Sequence, residues 1–338
     1  MQRIIFWMVG AFVAAGLTVV GGPVLNAGFQ PEAAASWVAQ SGTWTVADGL
    51  LLGESGRALF PVELGSVRRV EVVVDHVQGE WASVIGKYES DDAWVEARVS
   101  ATGVTLVAWS GGREKVWTQA VAVAFPAIVI VAFVGERARV LVNGETVLQA
   151  SDGVFADLGG DVGLGAQGRA GFDLFHASSL SGPVLITSLG QSPGALMAKV
   201  LADRVGIEGA YETTAKPEMV EGNGTLILVI GASSKGLGAA GISVEDESAR
   251  GAALVAKAQA LGWGIVVMHI EGEPRRGTLT DELIDEFTPV ADYVVVKADG
   301  NADGLFTSLC AASGIPLRTI VATAQGADVL ADLFGLWK

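Results

Sequence analysis

The sequence predicts a multidomain chain: an N-terminal transmembrane or signal helix, an antiparallel β jelly-roll sandwich, and a doubly wound, flavodoxin-like parallel α/β domain. Three observations predict it. An uncharged apolar run opens the chain. From Trp37 to Leu180 apolar residues come in short stretches broken by turn residues, and from Pro183 onward they come in continuous runs separated by helical segments. The expected boundaries are 1–28 for the leader, 29–182 for the sandwich and 183–338 for the α/β domain.

No charge lies between Arg3 and Glu32, and the stretch opening IIFWMVGAFVAAGLTVV is long enough to enter or span a bilayer. A single Arg before an apolar run suits a retained anchor or a signal peptide. The best cleavage candidate, Leu25-Asn26-Ala27, is poor at its first position, which favours an anchor. The expected location is the cell membrane, single-pass with the bulk extracytoplasmic, or secreted if the leader is cleaved.

Lys plus Arg number 22 against 37 Asp plus Glu, and the net charge of -15 argues against nucleic acid or an anionic lipid surface as the main partner. Cys310 is the only cysteine, so there is no intrachain disulfide and no cysteine-based metal site. His76, His176 and His269 are scattered, no calcium-loop pattern is present, and no cofactor or metal is expected.

In the first half EVVVDHV, WASVIGKY, AWVEARVS, VTLVAWS, AIVIVAFV, ARVLVNGETVLQ and AGFDLFHA read as strands. Asn143-Gly144 suits a type I′ hairpin turn, and Glu89–Asp92 and Ser100–Gly103 suit further hairpins. SGTWTVADGLLL, WASVIGKYESDDAWVEARVS, RARVLVNGETVLQ and VGLGAQGRAGFDLFHA resemble the concanavalin A-like (laminin-G-like) jelly-roll superfamily over residues 30–180, most clearly at the Gly-Leu before Phe172-Asp173. That resemblance implies a fold, with glycan binding in many members and glycosidase activity in some. Trp37, Trp44, Trp81, Trp94, Trp109 and Trp117 either fill the sandwich core or offer faces to sugar rings. Glycoside hydrolysis needs two carboxylates about one bond, and Glu96 stands alone between Trp94 and Arg98. The half is expected to bind glycan or act as a spacer.

In the second half PVLITSL, TLILVIG, WGIVVMHI, DYVVVKA and LRTIVAT read as buried parallel strands, with a short edge strand near Gly209–Thr213. A ligand of such a sheet sits beyond the carboxyl ends of the strands, where strand order reverses. The loops there offer Ser188, Gln191 and Ser192 with Ser192 as N-cap and Pro193 at N1, then Ser233, Ser234 and Lys235, then His269, Arg275 and Arg276, with Lys297 at the end of the fourth long strand. Cations gathered at one edge of an acidic domain favour a small carboxylate or phosphate ligand. The opposing expectation is that Arg275 and Arg276 pair with Glu271 and Glu273. Gly236, Gly238 and Gly241 spell G-x-G-x-x-G, but after a later strand and ahead of an acidic helix start at Ser243, which speaks against a dinucleotide.

TSLGQSPGALMAKVLADR, LVIGASSKGLGAAGIS and MHIEGEPRRG resemble an uncharacterised family of exported bacterial α/β domains, over residues 183–337. The resemblance implies that these loops share one site and implies no activity. The leading expectation is a membrane-tethered extracytoplasmic binding protein for a small anion. One alternative is a hydrolase with Ser233 or Ser234 as nucleophile and His269 as base, although no G-x-S-x-G elbow is present. Another is a surface structural or adhesion protein in which the sandwich makes the contact.

Overall fold

The computed structural model describes residues 24–27, 29, 37–61 and 67–337. Among the described residues the chain divides into two compact units, one running to Ser179 and one from Leu180 that also takes Val24 and Leu25. The expected leader lies outside the described residues except for Val24–Ala27, which form a strand (β1) where a helix end was expected. Gly21, Gly22 and Pro23 before it are poor helix residues. Among the described residues no helix is long and apolar enough to cross a membrane.

The first unit is an antiparallel sandwich. Its strands are β2 (Val38–Ala39), β3 (Thr43–Ala47), β4 (Leu50–Phe60), β5 (Val67–Ser90), β6 (Ala93–Ser100), β7 (Gly103–Ser110), β8 (Arg113–Ala120), β9 (Ala127–Val134), β10 (Arg137–Val142), β11 (Glu145–Ser151) and β12 (Asp161–Ser178), with one helical turn, α1 (Val154–Asp157). One layer runs β8-β7-β6-β5-β12-β4-β2 and the other β11-β10-β9-β5-β12-β4-β3, so β4, β5 and β12 belong to both. They bend together. Ser55 on β4 has φ 48°, Gly168 on β12 has φ 89°, and a Cβ on Gly168 would lie 2.6 Å from Cα of Gly79 on β5. Glycines therefore let two backbones touch at the fold line.

EVVVDHV and WASVIGKY, expected as separate strands, are one. Asp75 and Gly79 fail to end β5 because its partner β12 is equally continuous and carries the ladder through the bend, with register shifts. REKVWTQA forms β8, an almost wholly exposed edge strand whose polar sequence hides it from an apolar-pattern reading. Asn143 and Gly144 have φ 51° and 84°, as a type I′ turn requires. Between the layers lie Val72, Val84, Leu106, Val131, Phe133, Leu164 and Phe172, all below 1% exposed. A Cβ on Gly86 would lie 2.2 Å from the Phe133 ring, which shows how closely the layers pack.

The second unit is a parallel sheet of β13 (Val184–Leu189), β14 (Gly209–Tyr211), β15 (Thr225–Ile230), β16 (Gly264–His269), β17 (Tyr293–Lys297) and β18 (Leu317–Ile320), in the order β14-β13-β15-β16-β17-β18. Its helices are α2 (Gly194–Arg204), α3 (Ser234–Ala240), α4 (Val244–Ala260), α5 (Thr278–Phe287), α6 (Leu305–Ser313) and α7 (Gly326–Leu333). Every residue of β13, β15 and β16 is buried, because helices cover both faces. One face packs Leu254, Ile284, Phe287 and Phe306 of α4, α5 and α6, and the other packs Ala195, Ala198 and Leu330 of α2 and α7. Strand order reverses at β13, which places the switch point between the ends of β13 and β15.

Candidate functional site

At that switch point the loops after β13 and β15 close on each other. Gly231 N–H donates to Leu189 O (2.8 Å) and Ser233 N–H to Gly190 O (2.7 Å), with a bridge between Gln191 and Ala232. Gly190 has φ 102°, and a Cβ there would lie 2.5 Å from Gly231 O, so only glycine fits. Two carboxylates of the chain occupy what remains. Glu271 Oε2 accepts from Gly194 N–H at the start of α2 (3.2 Å), and its Oε1 accepts from Arg275 Nε (3.0 Å). Fully buried Glu247 accepts from Gly190 N–H (2.8 Å), Gln191 Nε2 (3.0 Å) and Arg250 Nε (2.8 Å). Burial alone would raise the Glu247 pKa, but these donors outweigh it and hold the carboxylate below its usual range.

The remaining expected residues divide. Ser192 is buried and accepts from Gly194 N–H (3.3 Å), while Pro193 stands at the N-cap, one position earlier than expected. Ser188 is wholly buried in β13, and its carbonyl accepts from Arg250. Ser233 caps α3 by accepting from Gly236 N–H (3.1 Å); Ser234 and Lys235 are exposed on its first turn. Gly236 and Gly238 lie inside α3 and Gly241 ends it at φ 66°, so the glycine pattern builds a short helix and not a phosphate loop. Arg276 pairs with Asp281 (2.7 Å) and Asp303 (2.7 Å) rather than with Glu273, and Lys297 pairs with Asp299 (2.7 Å). His269 is fully buried, with Nδ1 3.0 Å from Ile230 O and Nε2 3.3 Å from Gly272 O. Burial pushes its pKa down against the pull of those carbonyls, and both ring nitrogens face backbone rather than Ser233 or Ser234.

A second constellation sits on the outer face of the β8-to-β2 layer. Strand alternation divides the tryptophans: Trp37 packs edge-on to Phe60 and Phe175, Trp44 stacks on Phe172, and Trp117 tilts against Phe155, whereas Trp94 and Trp109 join a separate cluster with Leu59, Ile85, Tyr88 and Val107. Register aligns Arg57, Gly165, Ser83, Arg98, Thr105 and Thr118 in one row across β4, β12, β5, β6, β7 and β8. The next row reads Leu59, Gly163, Ile85, Glu96, Val107 and Val116.

Glu96 is the centre of this face, with a side chain 0% exposed. Its Oε1 accepts from Arg98 Nε (2.7 Å), and its Oε2 from Ser83 Oγ (3.2 Å) and Arg57 Nε (3.4 Å). The Arg57 guanidinium lies 4.2 Å from the Trp94 ring centre, and that of Arg98 lies 4.5 Å from the Trp81 ring centre. Among the described residues, each guanidinium gives only its Nε to a hydrogen bond, and the two side chains remain 22% and 26% exposed. On β12 this face carries Gly163 and Gly165, both buried; a Cβ on Gly165 would meet Ser83 Oγ at 2.4 Å and one on Gly163 would meet Leu59 Cδ2 at 2.9 Å, so the glycines let neighbouring side chains lie across the strand. Along the sequence Trp81, Trp94 and Arg98 stand out only as single residues, and Arg57 has no visible role. The W-x-E-x-R alternation of Trp94, Glu96 and Arg98 was the available signal, but Arg57 and Trp81 join it only through register. Among the described residues there is no group of three or more potential metal ligands.

Residues 181–334 match a family model described as a domain of unknown function (DUF6305), in agreement with the resemblance of the second half to an uncharacterised family. No curated protein matches the chain. Among solved structures the chain is similar to carbohydrate binding module CBM66 from Bacillus subtilis, at 19% identity over 43% of this chain and 96% of that one, with a TM-score of 0.39. It is similar to a prokaryotic β-1,3-1,4-glucanase (lichenase) derived from a mouse hindgut metagenome, at 15% identity over 46% of this chain and 98% of that one, TM-score 0.35. A third is the Caenorhabditis elegans galectin LEC-6, at 13% identity over 38% of this chain and 95% of that one, TM-score 0.29. Likenesses of this size say nothing about ligand or activity.

Proposed function

We propose that this chain is an extracytoplasmic carbohydrate-binding protein, tethered to the membrane by its apolar leader, whose saccharide site is the outer face of the layer built by β4, β12, β5, β6 and β7. The supporting observation is the Trp81–Arg98–Trp94–Arg57 array over buried Glu96. The partly exposed Trp81 indole offers a face to the C–H side of a sugar ring, and guanidinium groups fixed on a carboxylate present donors at little entropic cost. Binding is favoured over hydrolysis because both oxygens of Glu96 are engaged by arginines, and no second carboxylate accompanies it in its row.

The test is affinity electrophoresis and calorimetry of the full chain against a panel of neutral and acidic polysaccharides, beside Trp81→Ala. Saturable binding, weakened at least about tenfold in the variant with an unchanged circular dichroism spectrum, is expected. Binding to none of the panel, or unaltered binding by Trp81→Ala, would reject the reading. Fractionation tests the tether: the expected full-length chain stays in the membrane pellet until detergent is added, and recovery of a shortened soluble chain would make the leader a cleaved signal.

A second reading keeps a small carboxylate or phosphate at the α/β crevice. It draws on the fact that Gly194 N–H and Arg275 already hold a carboxylate, that of Glu271. An external anion would have to replace it. Acetate or inorganic phosphate should then stabilise Glu271→Ala and not Glu271→Ala/Arg275→Ala, and the absence of any shift in the single variant would end this reading.

A further inference from the structure

We infer that the saccharide held on the outer sandwich face is acidic, with the carboxylate of a uronic acid residue received by the outward nitrogens of Arg57 and Arg98 while Trp81 carries the ring. The inference rests on the reading of that face as a saccharide site and names its ligand class. Two guanidinium groups share the single carboxylate of Glu96, so these three side chains together carry one excess positive charge in a chain whose net charge is -15. Glu96 is wholly buried, so the ligand meets the donors and not the acceptor. Neutral sugar hydroxyls both donate and accept, and a site recognising them presents both kinds of group. A centre offering only charged donors suits a group that only accepts, and the planar guanidinium matches a carboxylate in two-point geometry.

The remaining polar groups of the face fit this division. Ser83 spends its hydroxyl on Glu96, and Thr105 and Thr118 face each other at 3.3 Å further along the row. Acids lie in the row beyond Glu96: Asp91 accepts from the Tyr88 hydroxyl (2.7 Å), Asp161 on β12 is opposite Tyr88, and Glu114 is opposite Trp109 on edge strand β8. The ligand's charge is thereby directed to the arginine row and repelled from the acidic one.

The experiment titrates the full chain with oligogalacturonate, with the same oligosaccharide methyl-esterified, and with dextran sulfate, in wild type, Arg98→Gln and Trp81→Ala. The expected result is at least about tenfold tighter binding of the free acid than of the ester in wild type. Arg98→Gln should erase that preference while the ester still binds, and Trp81→Ala should weaken both. Equal binding of acid and ester, with Trp81→Ala weakening both, would overturn the acidic ligand while the saccharide site stands. Dextran sulfate binding as tightly as the uronate would overturn it too, since that is unselective charge attraction. Binding of no saccharide at all would remove both the inference and the reading beneath it. The acid-to-ester comparison uses wild type only, so it decides the question even if Arg98→Gln does not fold.

Discussion

The α/β crevice and the outer sandwich face gather arginines in the same way and use them differently. In the crevice Arg275 is held by Glu271, Arg276 by Asp281 and Asp303, and Arg250 by Glu247. Loops cross-linked in this way keep their geometry, and these three arginines are already answered, while Lys235 stays exposed. On the sandwich face two arginines share one acid and lie against indole rings, which leaves their terminal nitrogens without a hydrogen bond among the described residues. The ratio and burial of the counter-charges, rather than the number of basic residues, therefore separate the two clusters.

The strongest way to break the comparison is Glu247→Ala. If the crevice acids are structural, stranding Arg250 and the Gly190 amide should cost roughly 3–5 kcal/mol in urea unfolding, and a loss near zero would show the loops to be free for a ligand. Next comes a pH series on Asp292→Asn. Burial pushes the Asp292 carboxyl from 3.8 up to about 7, although Ile265 N–H donates to it (2.7 Å). A raised carboxyl favours the folded state fully below its unfolded pKa and loses that contribution as pH rises through about 7. Wild type should lose on the order of 3 kcal/mol relative to the Asp292→Asn variant between about pH 4 and pH 7. His176 in the sandwich slopes the other way: burial pushes its imidazole from 6.5 down to about 3, so its contribution is present above pH 6.5 and lost as pH falls. Parallel pH slopes for Asp292→Asn and wild type would remove this contrast.

Smaller effects sharpen it. Glu271→Ala should cost about 1–2 kcal/mol, since it frees one amide and one partly exposed guanidinium. Trp81→Ala should change stability by less than about 1 kcal/mol while weakening saccharide binding at least about tenfold, because Trp81 is partly exposed and outside the inter-layer core. A large stability loss would instead mark Trp81 as packing.

Much of the architecture was legible in order along the chain. Continuous apolar runs such as TLILVI and GIVVMH, alternating with helical segments, read as strands covered on both sides, and short runs between turn residues read as a sandwich, because burial on one face or two leaves different periods. Asn143-Gly144 named its turn through a local conformational preference. The exposed polar strand β8 was not legible, since it buries too little to carry a period. Nor was the continuity of β5 and β12, which depends on two glycines meeting far apart in sequence.

The sites divide the same way. Sequence alone settled which loops end at the carboxyl edge of the parallel sheet, and that Trp94, Glu96 and Arg98 alternate onto one side of a strand, because both follow from backbone geometry over a few residues. Only the tertiary structure decided that Glu271 and Glu247 fill the crevice. Only it brought Arg57, Trp81 and Glu96 onto one face, because strand register and side-chain charge pairing are set by contacts between distant segments and leave no periodic trace in the chain.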